Sequence, residues 1–198
     1  MIRPMRAVDC RDIAAVHEAS FPGFFLSTLG TRFLALFYRG VCRSPQGIAF
    51  VHLDGGGRPS GFVAGAADPR GFYAGLLRRD WLRFGLAALA AVVRRPAVVP
   101  RLLRALRQPS VNPPGGEVAG LFSLGVHPRE QGRGAGRELV RAFLDEAVRR
   151  GARRVFLTTD RDGNDAVNGF YRRCGFAVGR EYATPEGRRM NEYWIELP

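Results

Sequence analysis

The stretch 124–136, L-G-V-H-P-R-E-Q-G-R-G-A-G, limits what this chain can fold into more than any other. An apolar run with small residues over 118–126 suits a buried strand, and Pro128 ends it. Gly132, Gly134 and Gly136 then recur at intervals of two. Leu139, Val140, Phe143, Leu144, Ala147 and Val148 follow at helical spacing, and Gly151 stops the helix. Strand, glycine turn and helix in that order set a row of main-chain N–H groups at a helix start. Alternate glycines let a ligand approach those groups, and the helix end adds a partial positive charge. The unit is an anion cradle, and pyrophosphate is its usual guest. No Gly-Lys-Ser/Thr follows, which excludes a Walker loop. The glycines also miss the dinucleotide spacing G-x-G-x-x-G, and the unit sits mid-chain after several strands. On the glycines alone, in a chain with 25 of them, an ordinary turn is an equal reading.

The next segment separates the two readings. A β-rich run, V-F-L-T-T, covers 155–159, and D-R-D-G-N-D-A-V-N-G-F-Y-R-R-C-G-F covers 160–176. Asn164 can open a short helix that carries Val167, Phe170 and Tyr171 and ends before Gly175. Together these segments resemble the GNAT acetyltransferase superfamily. Gln131, Gly134 and Gly136 meet its cofactor signature, Gln/Arg-x-x-Gly-x-Gly/Ala. Asn164, Tyr171 and Gly175-Phe176 meet its second signature: Asn at a helix start, Tyr seven residues on, then Gly-Phe. The opening M-I-R-P-M-R-A-V-D-C-R-D-I-A-A-V-H resembles the family's first strand and helix.

The resemblance spans nearly the whole chain and implies one α/β domain over 1–198. Its fold would be the GNAT acyltransferase fold, a single mixed, mostly antiparallel sheet flanked by helices. The pattern of residues agrees. A strand is expected over 2–7, and a helix capped by Asp9 with Ile13, Val16 and His17 on one face. An aromatic-rich turn region over 20–30 and a helix over 32–41 come next. Strands over 48–53 and 60–66 flank D-G-G-G-R-P as a hairpin. Closing strands are expected over 176–182 and 190–197. At 198 residues such a domain can bury a sizeable core. Cys10, Cys42 and Cys174 are odd in number and lack metal-ligand spacing. They read as reduced thiols of a cytoplasmic protein, with no metal. The N-terminal residues lack the apolar core of a signal peptide, and no apolar run is long enough to span a bilayer.

The resemblance implies acetyl-CoA as co-substrate and direct transfer to an amine without a covalent enzyme intermediate. It assigns main-chain contacts with the cofactor arm to Leu124 and Val126. The cofactor phosphates fall to Gln131, Gly132, Arg133, Gly134, Ala135, Gly136 and Arg137, and Asn164 also lies on the cofactor side. Arginine suits phosphate through its fork of donors, and Arg129, Arg172 and Arg173 lie nearby. Tyr171 matches the family's general acid: a phenol with an ordinary pKa of about 10 is protonated at neutral pH. The general base is less legible. Relatives carry a Glu near the middle of the cofactor strand, where this chain has A-G-L-F-S-L-G-V. Glu117 is the nearest acid in sequence and is the candidate, with a solvated turn residue as the competing reading. Asp160, His127 and a chain of waters are further candidates.

One segment stands apart. Residues 69–116 carry nine Arg and one Asp, a net +8 of the chain's +12. All 30 basic residues are Arg, so part of this charge is a compositional bias. Residues 80–93, D-W-L-R-F-G-L-A-A-L-A-A-V-V, are apolar almost all round, and R-L-L-R-A-L-R-Q-P follows at 101–109. A basic helical insertion is expected. It can pack as a helical hairpin on the domain, cover the substrate cleft, form a homodimer contact, or lie peripherally on an anionic bilayer, there at the inner membrane face. Nucleic acid is an unlikely partner, because the aromatics sit within an apolar helix rather than interleaved for base stacking. The positive surface disfavours polycationic acceptors. It favours an anionic small-molecule amine, such as a nucleotide-linked amino sugar. A protein N-terminus or side chain is the alternative acceptor, and a non-catalytic acyl-CoA-binding module is the alternative class.

Overall fold

The computed structural model describes residues 1–70, 72–94, 117–185 and 187–198. Seven strands form one sheet in the order β1-β2-β3-β4-β5-β7-β6. They are β1 (Ile2–Pro4), β2 (Gly47–Leu53), β3 (Pro59–Ala66), β4 (Val118–Val126), β5 (Arg154–Asp160), β6 (Ala177–Ala183) and β7 (Arg189–Glu196). Every described pairing is antiparallel except β4 with β5. The helices are α1 (Cys10–Ser20), α2 (Phe25–Thr28), α3 (Thr31–Arg43), α4 (Phe72–Arg79), α5 (Trp81–Arg94), α6 (Ala135–Arg149) and α7 (Asp165–Arg173).

Two cores sandwich the sheet. On one face Ile13, Val16, Leu34, Tyr38 and Val41 of α1 and α3 bury against Val51, Phe62 and Ala64. On the other, Leu139, Val140, Phe143 and Ala147 of α6 pack on Val63, Ala119, Leu121 and Val155, joined by Tyr171, Phe176 and Tyr193. This is the pattern expected when one apolar stripe of each helix meets one face of a sheet. The approach of α6 is close. A side chain at Gly65 on β3 would meet the Gly120 carbonyl at 2.0 Å and the Phe143 ring at 2.8 Å.

Some expected elements differ in detail. The first strand is only three residues long, because residues 7–9 turn into a 3-10 helix. Asp9 precedes α1 but makes no side-chain cap to it. Its carboxylate is buried instead in a paired bond with the Arg3 guanidinium (2.7 Å on both oxygens) and accepts from the Arg6 N–H (2.7 Å). That bonding holds its pKa below the usual carboxylate value. The aromatic turn region holds the short helix α2, which no periodicity announces in four residues. Within the insertion, α4 and α5 are helical as expected. Phe84 of α5 sits edge-on to Phe33 of α3, 5.2 Å between ring centres. The second basic helix, expected at 101–109, lies outside the described residues.

Candidate functional site

The parallel pair β4–β5 is where the sheet opens. Its register covers only Val118 with Arg154, Ala119 with Val155 and Gly120 with Phe156. Beyond that point β4 stays with β3 up to Val126, while β5 stays with β7 up to Asp160. The strands diverge at a bulge. Ala64 faces Ser123 and Gly65 faces Leu121, so Phe122 is an extra residue on β4. A bulge bends its strand and increases its twist. The C-terminal half of β4 therefore presents one edge with no strand beside it among the described residues.

Which groups line that edge follows from the register. Gly61 is opposite Val126, and the next bond runs from the His127 N–H to the Ser60 carbonyl (2.8 Å). The Gly61–Val126 pair is thus a non-hydrogen-bonded one, and pairs alternate along an antiparallel ladder. The main-chain groups of Val126 and Leu124 consequently point away from β3, into the split. The Val126 carbonyl is already occupied by the Gln131 side-chain amide (2.9 Å) and the Ser20 hydroxyl (3.1 Å). Gln131 thereby fastens the glycine loop to the strand end.

The loop continues through a 3-10 turn, Pro128–Glu130, capped by the His127 ring, which accepts from the Arg129 N–H (3.3 Å). Gly132 and Gly134 have φ of 79° and 89°, in the left-handed region that favours glycine, and a Cβ on either would point into open space. Gly134 caps α6; its carbonyl accepts from the Arg137 and Glu138 N–H groups. The N–H groups of Gly132, Arg133, Gly134, Ala135 and Gly136 donate to no described residue. Unpaired donors at the start of a fifteen-residue helix are an anion site in geometry and in sign. Arg133 is paired with Glu130 (3.0 Å), whereas Arg129 and Arg137 have no carboxylate partner among the described residues.

The second signature packs against the first. A Cβ at Gly136 would touch the Phe170 ring at 3.3 Å, so α7 lies beside the start of α6. Tyr171 follows. Its ring is buried among Phe170, Phe176 and Tyr193, and its hydroxyl bonds no described residue. Burial pushes its pKa upward, so the phenol holds its proton throughout the neutral range. Asn164 does not cap α7 with its side chain. Its amide donates to Thr159 Oγ1 (2.9 Å) and the Asp160 carbonyl (3.1 Å), closing the turn from β5.

Glu117, the expected base, is placed at the wrong end of β4. It precedes the paired end of the strand, about 30 Å from Val126 at 3.3 Å per residue. Its carboxylate binds Arg153 (2.9 Å) and is half exposed. Its carbonyl accepts from Arg153 and Arg154 as a turn residue with φ of 63°. The solvated-turn reading is therefore the better one. Asp160 ends β5 near the split, but both its oxygens bind Arg188 (2.7 and 2.8 Å). Arg188 also lies over the Phe24 ring, at 5.9 Å, which joins the β6–β7 connection to the segment after α1.

Two features escaped the sequence reading. Asn168, one turn before Tyr171, is a buried hub. Its amide donates to the Asp160, Arg161 and Asn164 carbonyls, and its Oδ1 accepts from Asn191 Nδ2 (2.9 Å) and the Tyr193 hydroxyl (3.0 Å). On the opposite face, His17 Nδ1 lies 2.6 Å from the Tyr38 hydroxyl, which donates to Ser123 Oγ (3.4 Å). Burial pushes the His17 pKa down to about 4, so the imidazole is neutral at physiological pH. Ser123 sits on β4 beside the bulge, and Phe72 of α4 packs on the bulged Phe122, 5.6 Å between ring centres. Helix α4 therefore borders the split on the α1–α3 face.

A family model, that of the acetyltransferase (GNAT) family, matches residues 12–176. Several solved structures share the fold. That of yncA from Salmonella typhimurium with its cofactor acetyl-CoA is 18% identical, with a TM-score of 0.63 over 100% of this chain and 94% of that one. The ribosomal-protein-S18-alanine N-acetyltransferase from Escherichia coli is 15% identical (TM-score 0.60, 100% and 93% covered). Mutant forms of the spermidine/spermine N-acetyltransferase SpeG from Vibrio cholerae are 14% identical (TM-score 0.57, 99% and 93% covered). A search of curated proteins returns no match.

Proposed function

The chain belongs to the GNAT acetyltransferase family, and from that premise we propose that it moves an acetyl group from acetyl-CoA to a primary amine on an anionic small molecule. The observation that carries this reading is the split between β4 and β5, with main-chain groups of Leu124 and Val126 facing it and unpaired N–H groups at its mouth. These residues fit acetyl-CoA. The open space at Gly132 and Gly134 admits a pyrophosphate to the α6 N-terminus, and Arg129 and Arg137 add positive charge there. Since the Val126 carbonyl is already doubly bonded, its N–H and the groups of Leu124 hold the pantetheine arm.

Acetyl-CoA supplies the acyl group already activated as a thioester. A β4 N–H aimed at the thioester oxygen stabilises negative charge developing there. Tyr171 keeps its proton at neutral pH and gives it to the departing sulfur. No carboxylate of β4 serves as base. The amine enters in its neutral fraction, and the proton it loses on forming the amide passes to water at the mouth, from which Tyr171 regains the proton it gave to sulfur.

Charge decides the acceptor class. Like charges repel a polycation, at distances of a few ångströms even when the effective dielectric is near 20. The chain's net +12, part of it carried by Arg78 and Arg79 on the helix α4 that borders the split, instead attracts phosphate or carboxylate. The test is a panel of amines with acetyl-CoA, read by thiol release: a nucleotide-linked amino sugar, spermidine and a peptide with a free N-terminus. Faster turnover of the amino sugar supports the proposal. Preference for spermidine or the peptide overturns the acceptor class, and no release with any amine favours a non-catalytic acyl-CoA-binding module.

A further inference from the structure

Helix α5 has two faces of unlike fate. Phe84 is buried against Phe33, and Ala87 packs on the same core. Trp81, Leu82, Leu86 and Leu89 are 65%, 59%, 71% and 55% exposed. With 3.6 residues per turn these four, together with Gly85, fall within an arc of about 140° on the side away from Phe84. A contiguous exposed stripe of one Trp and three Leu is too apolar to be an ordinary solvated surface.

The charges around the stripe say what it meets. Arg78 and Arg79 are exposed at the end of α4, separated from Trp81 by Asp80, and Arg83 flanks the stripe on α5. Arg83 is paired with Asp80 (3.3 Å), while Arg78 and Arg79 have no carboxylate partner among the described residues. Beside them, between α3 and α4, lies a cavity of about 230 Å³ lined by Arg43, Arg70 and Arg79 together with the carboxylates Asp68 and Asp80. Arg70 is tied to Asp68 (3.0 Å), but Arg43 and Arg79 carry positive charge with no carboxylate partner among the described residues. An apolar stripe with a tryptophan, next to a basic rim, is the surface of an interfacial helix. No described helix is long and apolar enough to cross a membrane, which fits a helix lying in the interface plane.

We propose that the outer face of α5 docks on an anionic lipid bilayer, with Trp81, Leu82, Leu86 and Leu89 inserted at the headgroup boundary and Arg78, Arg79 and Arg43 on lipid phosphates. A basic rim is wasted on a neutral protein partner and opposes a second copy of this chain, whose own rim carries the same charge. It complements the negative surface of a bilayer containing anionic lipid. Docking in this way sets the split near the membrane, because α4 reaches from the basic rim to Phe122 at the bulge of β4. The proposal stands apart from the acetyl transfer reading, and neither fails with the other.

The test uses the full chain without acetyl-CoA. Vesicles of phosphatidylcholine alone, and of phosphatidylcholine with phosphatidylglycerol in equal parts, are sedimented with the protein at low and high salt. The expected result is sedimentation with the phosphatidylglycerol vesicles only, weakened by salt, with a blue shift of tryptophan emission. The double variant Trp81→Gln, Leu86→Gln should bind at least tenfold more weakly. These side chains are already exposed, so the variant should keep its circular dichroism and melting temperature. Arg78→Gln with Arg79→Gln should give a loss of similar size at low salt. Absence of vesicle binding by the wild type overturns the proposal. So does undiminished binding by both double variants. A wild-type dimer in sedimentation equilibrium that Trp81→Gln, Leu86→Gln turns into a monomer, without any vesicle binding, assigns the stripe to a second copy instead.

Discussion

Acid should weaken this protein in part through one imidazole. His17 is 3% exposed, stacked near Phe62 and tied to Tyr38, and its pKa is about 4. In the unfolded chain a histidine titrates near 6.5. Between those values the unfolded chain carries more protons, so stability rises with pH across the window and is lost as pH falls through it. The contribution is complete above about pH 7. At pH 4.5 the unfolded histidine is almost fully protonated while most of the folded one is not, which amounts to ~2.5 kcal/mol. The assay is urea unfolding of the wild type and of His17→Gln at pH 7 and pH 4.5. Glutamine keeps a polar group for Tyr38 and does not titrate. Its constant cost cancels when each protein's own difference between the two pH values is taken, as do the carboxylates common to both. The wild type should lose about 2.5 kcal/mol more than the variant over that interval. Equal losses in both proteins would refute the placement of a neutral His17 in the core.

Three further outcomes are expected. Tyr171→Phe should lower turnover roughly 10²-fold with little change in acetyl-CoA affinity or melting temperature, since the hydroxyl bonds no described residue; wild-type turnover would remove Tyr171 from its role as acid. Glu117→Gln should leave turnover within about twofold, because its carboxylate binds Arg153 at the paired end of β4, outside the split, and a large loss would restore it as the base. Asn168→Ala should cost ~3 kcal/mol in urea unfolding, because it strands the Asn191 amide and the Tyr193 hydroxyl in the core; a cost near zero would show that the hub contributes nothing.

How much of this was legible in the sequence depended on the range of the signal. β4 was read with its bounds intact, 118–126, because an apolar run closed by Pro128 is a local signal. The glycine turn was legible because positive φ selects glycine at Gly132 and Gly134. The Gly136–Phe170 contact was not, although both residues were marked, since nothing local says that α7 packs on α6. Asn168 looked like one more polar residue in a short helix. Its importance comes from Asn191 and Tyr193, more than twenty residues away, and pairings at that range leave no local trace. The same holds for His17, Tyr38 and Ser123, which α1, α3 and β4 bring together. The distance along β4 explains why Glu117 misled. Nearest in sequence means about 3.3 Å per residue in a strand, so a carboxylate nine residues away is far in space. The apolar character of 80–93 was plain, but its division into a buried and an exposed face requires Phe33 as the partner of Phe84.

The central claim is that acetyl-CoA lies in the split with its pyrophosphate on the N–H groups of 132–136. Calorimetric titration of acetyl-CoA into the wild type and into Gly134→Val tests it most directly. A Cβ at Gly134 enters the open space that the phosphates would fill, and the residue's φ of 89° adds strain for any side chain. The melting temperature shows whether the variant is folded. The account predicts that the wild type binds acetyl-CoA and that the folded variant binds it at least tenfold more weakly, about 1.4 kcal/mol. Unchanged affinity in a folded Gly134→Val would contradict it, and would place the phosphates elsewhere on the protein.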